Sequence, residues 1–270
     1  MIPMTDQEFR QLAEFIHCRT GIHLKEEKQA LLSGRLQNTL QERKISSFSE
    51  YFNFLKRDPN GQELTDLVDK ITTNHTFFMR ETGHFTFFQR EVLPGIVRGG
   101  KQRDLRIWSA GCSSGEEPYT LSMLIDDYFG GNKNGWNTQL LATDICNTVL
   151  DKARSGEYAA EALKDIPEHW KKNYFRQVGP NHFGVTDKVR NEVLFRRLNL
   201  MDESFPFTRK FHAIFCRNVM IYFDENTREK LIRKFYEHTE PGGYLFIGHS
   251  EALSRERTAY RYIMPAVYRK

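Results

Sequence analysis

LRIWSAGCSSGEEPYTLSML, residues 105–124, is the stretch on which the fold turns. An apolar run (Leu105, Ile107, Trp108, Ala110) passes into a turn of small residues (Gly111, Cys112, Ser113, Ser114, Gly115). A helical pattern follows, carrying Tyr119, Leu121, Met123 and Leu124. That order predicts the strand, glycine turn and helix that open nucleotide-type sites in α/β folds. Glu116 and Glu117 occupy the first helical turn and Pro118 follows them. Carboxylates suit the positive end of a helix dipole, and proline is tolerated early in a helix. The same carboxylates repel a pyrophosphate on that helix end, and the turn lacks the full G-x-G-x-x-G spacing. A ligand with an adenosine half and a cationic half fits better than NAD or ATP, which makes S-adenosylmethionine the candidate.

Downstream of this unit the apolar pattern alternates between two periods. Strand-like runs at 105–110, 139–143, 193–200, 212–219 and 244–248 are separated by helical stretches at 116–129, 146–154 and 226–239. Such alternation predicts βαβ units and a mainly parallel sheet. Pro241-Gly242-Gly243 reads as a helix stop before the strand YLFIG, and YRYIMPAVYRK as one or two closing strands. The irregular polar stretch from about 156 to 192 is too long for a simple loop and reads as a small inserted subdomain.

Upstream, residues 1–92 read as helical. Thr5-Asp6-Gln7-Glu8 matches a capping box ahead of Phe9, Leu12, Phe15 and Ile16, and Gly21 ends that helix. A second helix is predicted from Lys25 to Arg43, with Leu31, Leu32, Leu36 and Leu40 as its apolar stripe. Further helices are expected around Tyr51–Leu55 and, after the Asp58-Pro59-Asn60-Gly61 turn, around Leu64, Leu67, Val68 and Ile71. The expected division is a helical bundle with linker over 1–92 and an α/β domain over 93–270.

Composition agrees with a globular chain. Of 270 residues 39% are hydrophobic and 27% charged, so a packed core is expected rather than disorder. The formal charge of +4 permits an acidic partner without demanding nucleic acid. The opening MIPMTDQEF shows no basic-then-apolar signal pattern, and no apolar run reaches the length of a membrane span. A cytoplasmic protein without membrane insertion is expected. Cys18, Cys112, Cys146 and Cys216 lack C-x-x-C spacing, so free thiols in a reducing compartment and no metal are expected.

In open α/β sheets ligands bind beyond the carboxyl ends of the strands. The polar residues predicted there are Gly111 to Glu117, then Asp144, then Asn199 and Asp202, then Arg217, Asn218 and Tyr222. Asp144 lies where an acidic side chain holds ribose hydroxyls in dinucleotide folds. A second polar cluster, Thr72 to Glu81, joins the two halves.

TTNHTFFMRE, WSAGCSSGEEPYTL, ATDI, RRLNLMD, FCRNVMIYF and PGGYLFIGHSE occur in this order with consistent spacing. Together they resemble the chemotaxis receptor methyltransferase (CheR) family over nearly the whole chain. The resemblance implies an α/β, Rossmann-like S-adenosylmethionine-dependent methyltransferase domain, an all-α N-terminal domain and a small inserted β-subdomain. It implies methylation of glutamate side chains on the cytoplasmic domains of methyl-accepting chemotaxis receptors. The donor would be S-adenosyl-L-methionine and the product S-adenosyl-L-homocysteine, with the protein recruited to membrane receptor arrays. The implied cofactor pocket comprises Asn74, Thr76, Arg80, Gly111, Glu116 or Glu117, Asp144, Asn199, Leu200, Arg217 and Asn218. His75 departs from relatives that carry an apolar residue there.

Within that pocket Arg80, Asp144 and Tyr222 are the candidates closest to the chemistry, with Arg80 pairing a carboxylate and Tyr222 walling the transfer site. A glutamate side chain, of reference pKa about 4.3, is already ionised at neutral pH and needs no general base. The chain also lacks the D/N-P-P-Y/F segment of enzymes that methylate exocyclic amines of nucleic acid, and CRNVMIYF stands in its place. Lys28 and Arg35, seven apart on the predicted second helix, are the candidate docking cations for an acidic receptor helix. The segment 177–190 is shorter than in relatives that bind a receptor-tail pentapeptide, which predicts a pentapeptide-independent enzyme.

Overall fold

The computed structural model describes residues 2–58, 61–72, 75–99 and 102–270. Contacts divide the chain into two units, one of residues 1–74 with 222–228, the other of 75–221 with 229–270. The sequence reading carried its first segment on to residue 92, through the helical stretch that the contacts assign to the second unit.

In the first unit, α1 (Asp6–Thr20) starts in the predicted capping box: Thr5 and Glu8 each accept from the other's backbone amide. It stops at Gly21, whose φ of 74° is left-handed backbone that glycine adopts without steric penalty. A short 3₁₀ turn leads into α2 (Gln29–Glu42), followed by α3 (Phe48–Arg57) and α4 (Gln62–Ile71). Leu32, Leu36 and Leu40 are buried at i, i+4 and i+8. Leu31 was expected in that stripe and is 42% exposed, because one residue earlier on a helix faces about 100° away.

The second unit opens with α5 (Thr82–Phe87), a π-turn, and α6 (Leu93–Gly99). The strand–turn–helix is β1 (Ile107–Ala110) and α7 (Glu116–Tyr128), then β2 (Leu140–Asp144) and α8 (Asn147–Ser155). The insertion holds β3 (Glu157–Ala159), α9 (Glu168–Tyr174), β4 (Phe175–Gly179), β5 (His182–Val185) and α10 (Asp187–Arg190). Its strands form a separate antiparallel sheet in the order β3-β5-β4. The chain returns through β6 (Val193–Arg197), β7 (Phe211–Cys216), α11 (Glu225–His238), β8 (Thr239–Ile247), β9 (Arg261–Met264) and β10 (Val267–Arg269).

The main sheet runs β6-β2-β1-β7-β8-β10-β9, the first five strands parallel and the last two antiparallel. The strand order therefore reverses between β1 and β7, the switch point where such sheets bind ligands. The aromatic residues pack the layers on either side. Phe215 and Phe246 stack at 4.2 Å across β7 and β8, and Trp108 is ringed by Phe205, Phe207, Phe211 and Phe235. Pro241-Gly242-Gly243 turns the chain inside β8: pairing with β7 skips from Thr239 to Tyr244. None of the four cysteines is in a disulfide, and Cys18 is exposed while Cys112, Cys146 and Cys216 are buried.

Candidate active site

At the carboxyl end of β1 the backbone makes a tight cradle. Gly111 (φ 84°) leaves so little room that a Cβ there would stand 2.4 Å from Val219 Cγ2. The amides of Gly111 and Cys112 donate to the Thr143 carbonyl at 2.8 and 2.9 Å, tying the turn to β2. Gly115 (φ 96°) precedes α7, and a Cβ there would lie 2.9 Å from Tyr158 Oη and 3.0 Å from Ala153 Cβ. Tyr158 Oη itself donates to the Ser114 carbonyl at 2.7 Å, so the inserted subdomain buttresses the turn. Both glycines are thus fixed by φ and by close approach.

The two glutamates of the turn have different surroundings. Glu116 is 5% exposed, and Ser114 Oγ donates to its carboxylate at 2.7 Å. Burial raises its carboxyl above the ordinary value, against the lowering by Ser114 and its own backbone amide. Glu117 accepts from Ser109 Oγ at 2.7 Å and from Arg217 Nη1 at 3.0 Å.

Arg217, at the carboxyl end of β7, ties the site together. Its side chain is 2% exposed and lies over the Phe85 ring at 5.0 Å. Besides Glu117 it donates to Glu81 Oε2 from Nη2 at 3.1 Å and Nε at 3.3 Å, and to the Arg80 carbonyl. Glu81 Oε1 accepts from the His249 amide at 3.1 Å. Burial raises the Glu81 carboxyl, but the His249 amide and the Arg217 guanidinium outweigh it and hold it below the ordinary value. His84, buried beside them with Nδ1 3.4 Å from Glu81 Oε2, is pushed down to about 4 by burial, then by Arg217.

The remaining predicted residues bracket this clamp. Asp144, at the end of β2, accepts from the Ser113 amide through Oδ2 (2.9 Å) and from the Cys146 amide through Oδ1 (3.0 Å). Asn218 sits at φ 59°, and its amide donates to Glu251 Oε2 at 3.0 Å. Glu251 also accepts from the Gly248 and Ile221 amides, which locks the loop after β7 to the loop after β8. Asn199 Oδ1 accepts from the Met201 amide, and Leu200 is buried. Thr76 is half-buried, and Arg80 Nη1 donates to the His75 carbonyl at 2.6 Å. Asn74 lies outside the described residues.

The structure therefore joins the Arg80 carbonyl with the Glu117 and Arg217 side chains in one hydrogen-bonded chain, leaves the Arg80 guanidinium on the His75 carbonyl, and places Gly111, Glu116, Asp144, Asn199, Leu200 and Asn218 at the ends of β1, β2, β6 and β7. Glu81, Glu251 and Ser109 belong to the same site and were not singled out from sequence. Glu81 adjoins Arg80 inside a quoted motif, and Glu251 closes GHSE, so adjacency was the available signal.

Tyr222, Lys28 and Arg35 belong to the first unit. Tyr222 is half-buried, its carbonyl accepting from the His23 amide at 2.8 Å. Lys28 is exposed on the turn into α2. Arg35 Nη1 donates to the Lys70 and Ile71 carbonyls at 3.0 and 2.7 Å, capping the end of α4. That guanidinium is committed to a helix terminus, so Lys28 alone of the predicted docking pair presents an exposed charge without such a contact.

The residues present suit S-adenosylmethionine. The turn and the strand ends carry four carboxylates (Glu81, Glu116, Glu117, Asp144), of which Glu81 and Glu117 pair with Arg217, and this acidic character favours a cationic ligand and disfavours polyphosphate. Glycine backbone at Gly111 and Gly115 admits close approach beside the helix start.

Residues 74–268 match the family described as CheR methyltransferase, SAM binding domain, and residues 7–72 that described as CheR methyltransferase, all-alpha domain. A chemotaxis protein methyltransferase of Borreliella burgdorferi is 43% identical over 100% of this chain and 96% of its own. That of Escherichia coli is 36% identical over 94% of this chain and 87% of its own. Chemotaxis protein methyltransferase 2 of Pseudomonas aeruginosa is 38% identical over 98% and 93%.

Proposed function

The chain belongs to the CheR family of S-adenosylmethionine-dependent chemotaxis protein methyltransferases, and from that membership we propose that it esterifies glutamate γ-carboxylates of methyl-accepting chemotaxis receptors. The observation that carries the reading is the carboxylate-rich switch point between β1 and β7, where a buried Arg217 pairs with Glu81 and Glu117 while Glu116 and Asp144 stand at the neighbouring strand ends.

Bound S-adenosylmethionine supplies an electrophilic methyl group on a sulfonium. Asp144 would hold the ribose hydroxyls, and the acidic turn at Glu116 and Glu117 would offset positive charge. Arg80 would pair a carboxylate of donor or substrate through a charge-assisted contact. The acceptor oxygen arrives ionised, so the site's work is alignment and exclusion of water. Arg217 keeps Glu81 and Glu117 in place without itself reacting.

Lys28 would meet the acidic receptor helix. The β4–β5 hairpin turns through Pro180 and Asn181 alone, which supports a subdomain that works without a receptor-tail pentapeptide. Cytoplasmic placement at receptor arrays belongs to this proposal; among the described residues no helix is long and apolar enough to cross a membrane.

Incubation with radiolabelled methyl donor and receptor cytoplasmic fragments should give alkali-labile label on glutamate. Label that resists alkali, or that goes to nucleic acid, would remove the proposal. Arg80→Ala, folded as the parent, should lose most methyl transfer, and full retention would exclude its role. Titration with a tethering pentapeptide against a scrambled one should show no selective binding.

A further inference from the structure

Two imidazoles and a carboxylate from distant parts of the chain converge in the first unit. His17 lies in the last turn of α1, His23 just beyond its Gly21 cap, and Asp224 immediately before α11. His17 Nε2 stands 2.7 Å from Asp224 Oδ2 across a separation of 207 residues. The His17 and His23 rings meet edge to face with centroids 5.9 Å apart, and one donor atom from each of the three residues lies within 4.8 Å of the others.

The backbone fixes this convergence. Gly21 turns the chain back, Ile22 pairs with Phe223 in an antiparallel bridge, and the His23 amide donates to the Tyr222 carbonyl at 2.8 Å. Asp224 Oδ1 accepts from the Thr227 amide at 2.8 Å, which leaves Oδ2 turned toward the imidazoles. His17 and Asp224 are about one-third exposed and His23 is exposed, so an ion has a path in and water can complete its shell.

We propose that His17, His23 and Asp224 form a site for a borderline divalent transition cation, with zinc as the representative. Two imidazole nitrogens and one carboxylate oxygen are the donor types that zinc, nickel, cobalt and copper(II) select, whereas calcium and magnesium take oxygen. Zinc bonds of about 2.0–2.2 Å set tetrahedral donors roughly 3.3 Å apart. The His17–Asp224 pair therefore opens slightly and His23 closes, by side-chain rotation at the surface. The His17 tautomer that binds carries its hydrogen on Nδ1, so the Nε2 lone pair goes to the cation and any hydrogen held between Nε2 and Asp224 is released to solvent. The expectation of no metal rested on the cysteines, and this cluster uses none of them.

Glu81, His84 and His249 offer a comparable donor set. There, however, Arg217 already holds the carboxylate at 3.1 Å, and a second cation beside it is repelled. Among the described residues no guanidinium or ammonium forms an ion pair with Asp224.

The test is zinc titration of the untagged full chain by calorimetry and by competition with a chromogenic chelator, with bound metal counted after desalting. One equivalent at micromolar affinity or tighter is expected, weakened at least ~10-fold in both His23→Ala and Asp224→Asn. His249→Ala and Cys18→Ser should bind as the parent does. Circular dichroism of each variant separates a lost ligand from a lost fold. Failure of the parent to retain zinc would overturn the site. So would affinity unchanged by His23→Ala, or binding lost through His249 or Cys18.

Discussion

Arg217→Met removes a guanidinium that sits 2% exposed between two carboxylates that are 13% and 14% exposed. Methionine keeps an apolar stem against Phe85 but leaves Glu81 with the His249 amide and Glu117 with Ser109 as remaining partners. Taking one partner from a buried ion pair costs about 3–5 kcal/mol, chiefly through the charge left behind. The surviving hydrogen bonds place this case near the lower end, at about 3 kcal/mol. For a domain of this size that corresponds to a fall of roughly 6–12 °C in melting temperature.

The deficit should depend on pH. In the parent, Glu81 is held below its ordinary value, so its contribution is present above the unfolded pKa and lost as pH falls through the lower folded one. Without the guanidinium, burial prevails and the Glu81 carboxyl rises above its unfolded value. The folded variant then takes up a proton first and gains stability on acidification. Denaturant midpoints for parent and variant at pH 7 and pH 5 measure this, with equal slopes required for comparison. The gap should be widest at pH 7 and narrower at pH 5. A gap under about 1 kcal/mol, or one that widens at pH 5, would refute the clamp as described.

Gly115→Ala should destabilise by more than about 1 kcal/mol and weaken S-adenosylmethionine binding in calorimetry, because φ of 96° and Tyr158 Oη both oppose a Cβ. Asp144→Asn keeps the shape but loses the charge that accepts the Ser113 and Cys146 amides; donor affinity should fall at least ~10-fold with a smaller change in melting temperature. Thr5→Ala breaks the capping box of α1 and should cost about 1 kcal/mol in denaturant unfolding with methyl transfer unchanged. Lys28→Glu should slow methylation of receptor fragments, most at low salt, while leaving donor affinity intact.

Local chemistry made the fold legible. The Thr5–Glu8 box, the Gly21 stop and the Gly111–Gly115 turn act within a few residues, and each appears where the residues imply it. The alternation of periods located the strands of the parallel sheet to within a few positions. Leu31 shows the limit of a stripe read by eye, since its neighbours Leu32 and Leu36 turn the same helix so that it faces outward. The Pro241–Gly243 turn became part of β8 because Thr239 still pairs with Phe211, a partner that local sequence does not reveal.

The site was legible in a different way. Residues at strand ends could be named because sheet topology brings those ends together whatever lies between them. What local sequence could not assign was which charge answers which. Glu116 and Glu117 are neighbours of identical chemistry, yet a helix turns successive residues about 100° apart, so one faces Ser114 while the other faces Ser109 and Arg217. For Arg217 the sequence implies a place in the cofactor pocket without naming its partners. In the structure it donates to Glu81, Glu117 and the Arg80 carbonyl. That arrangement divides the acidic turn between two tasks. Glu117 is paired with the buried Arg217, whereas Glu116 is held by Ser114 and its carboxyl is raised by burial.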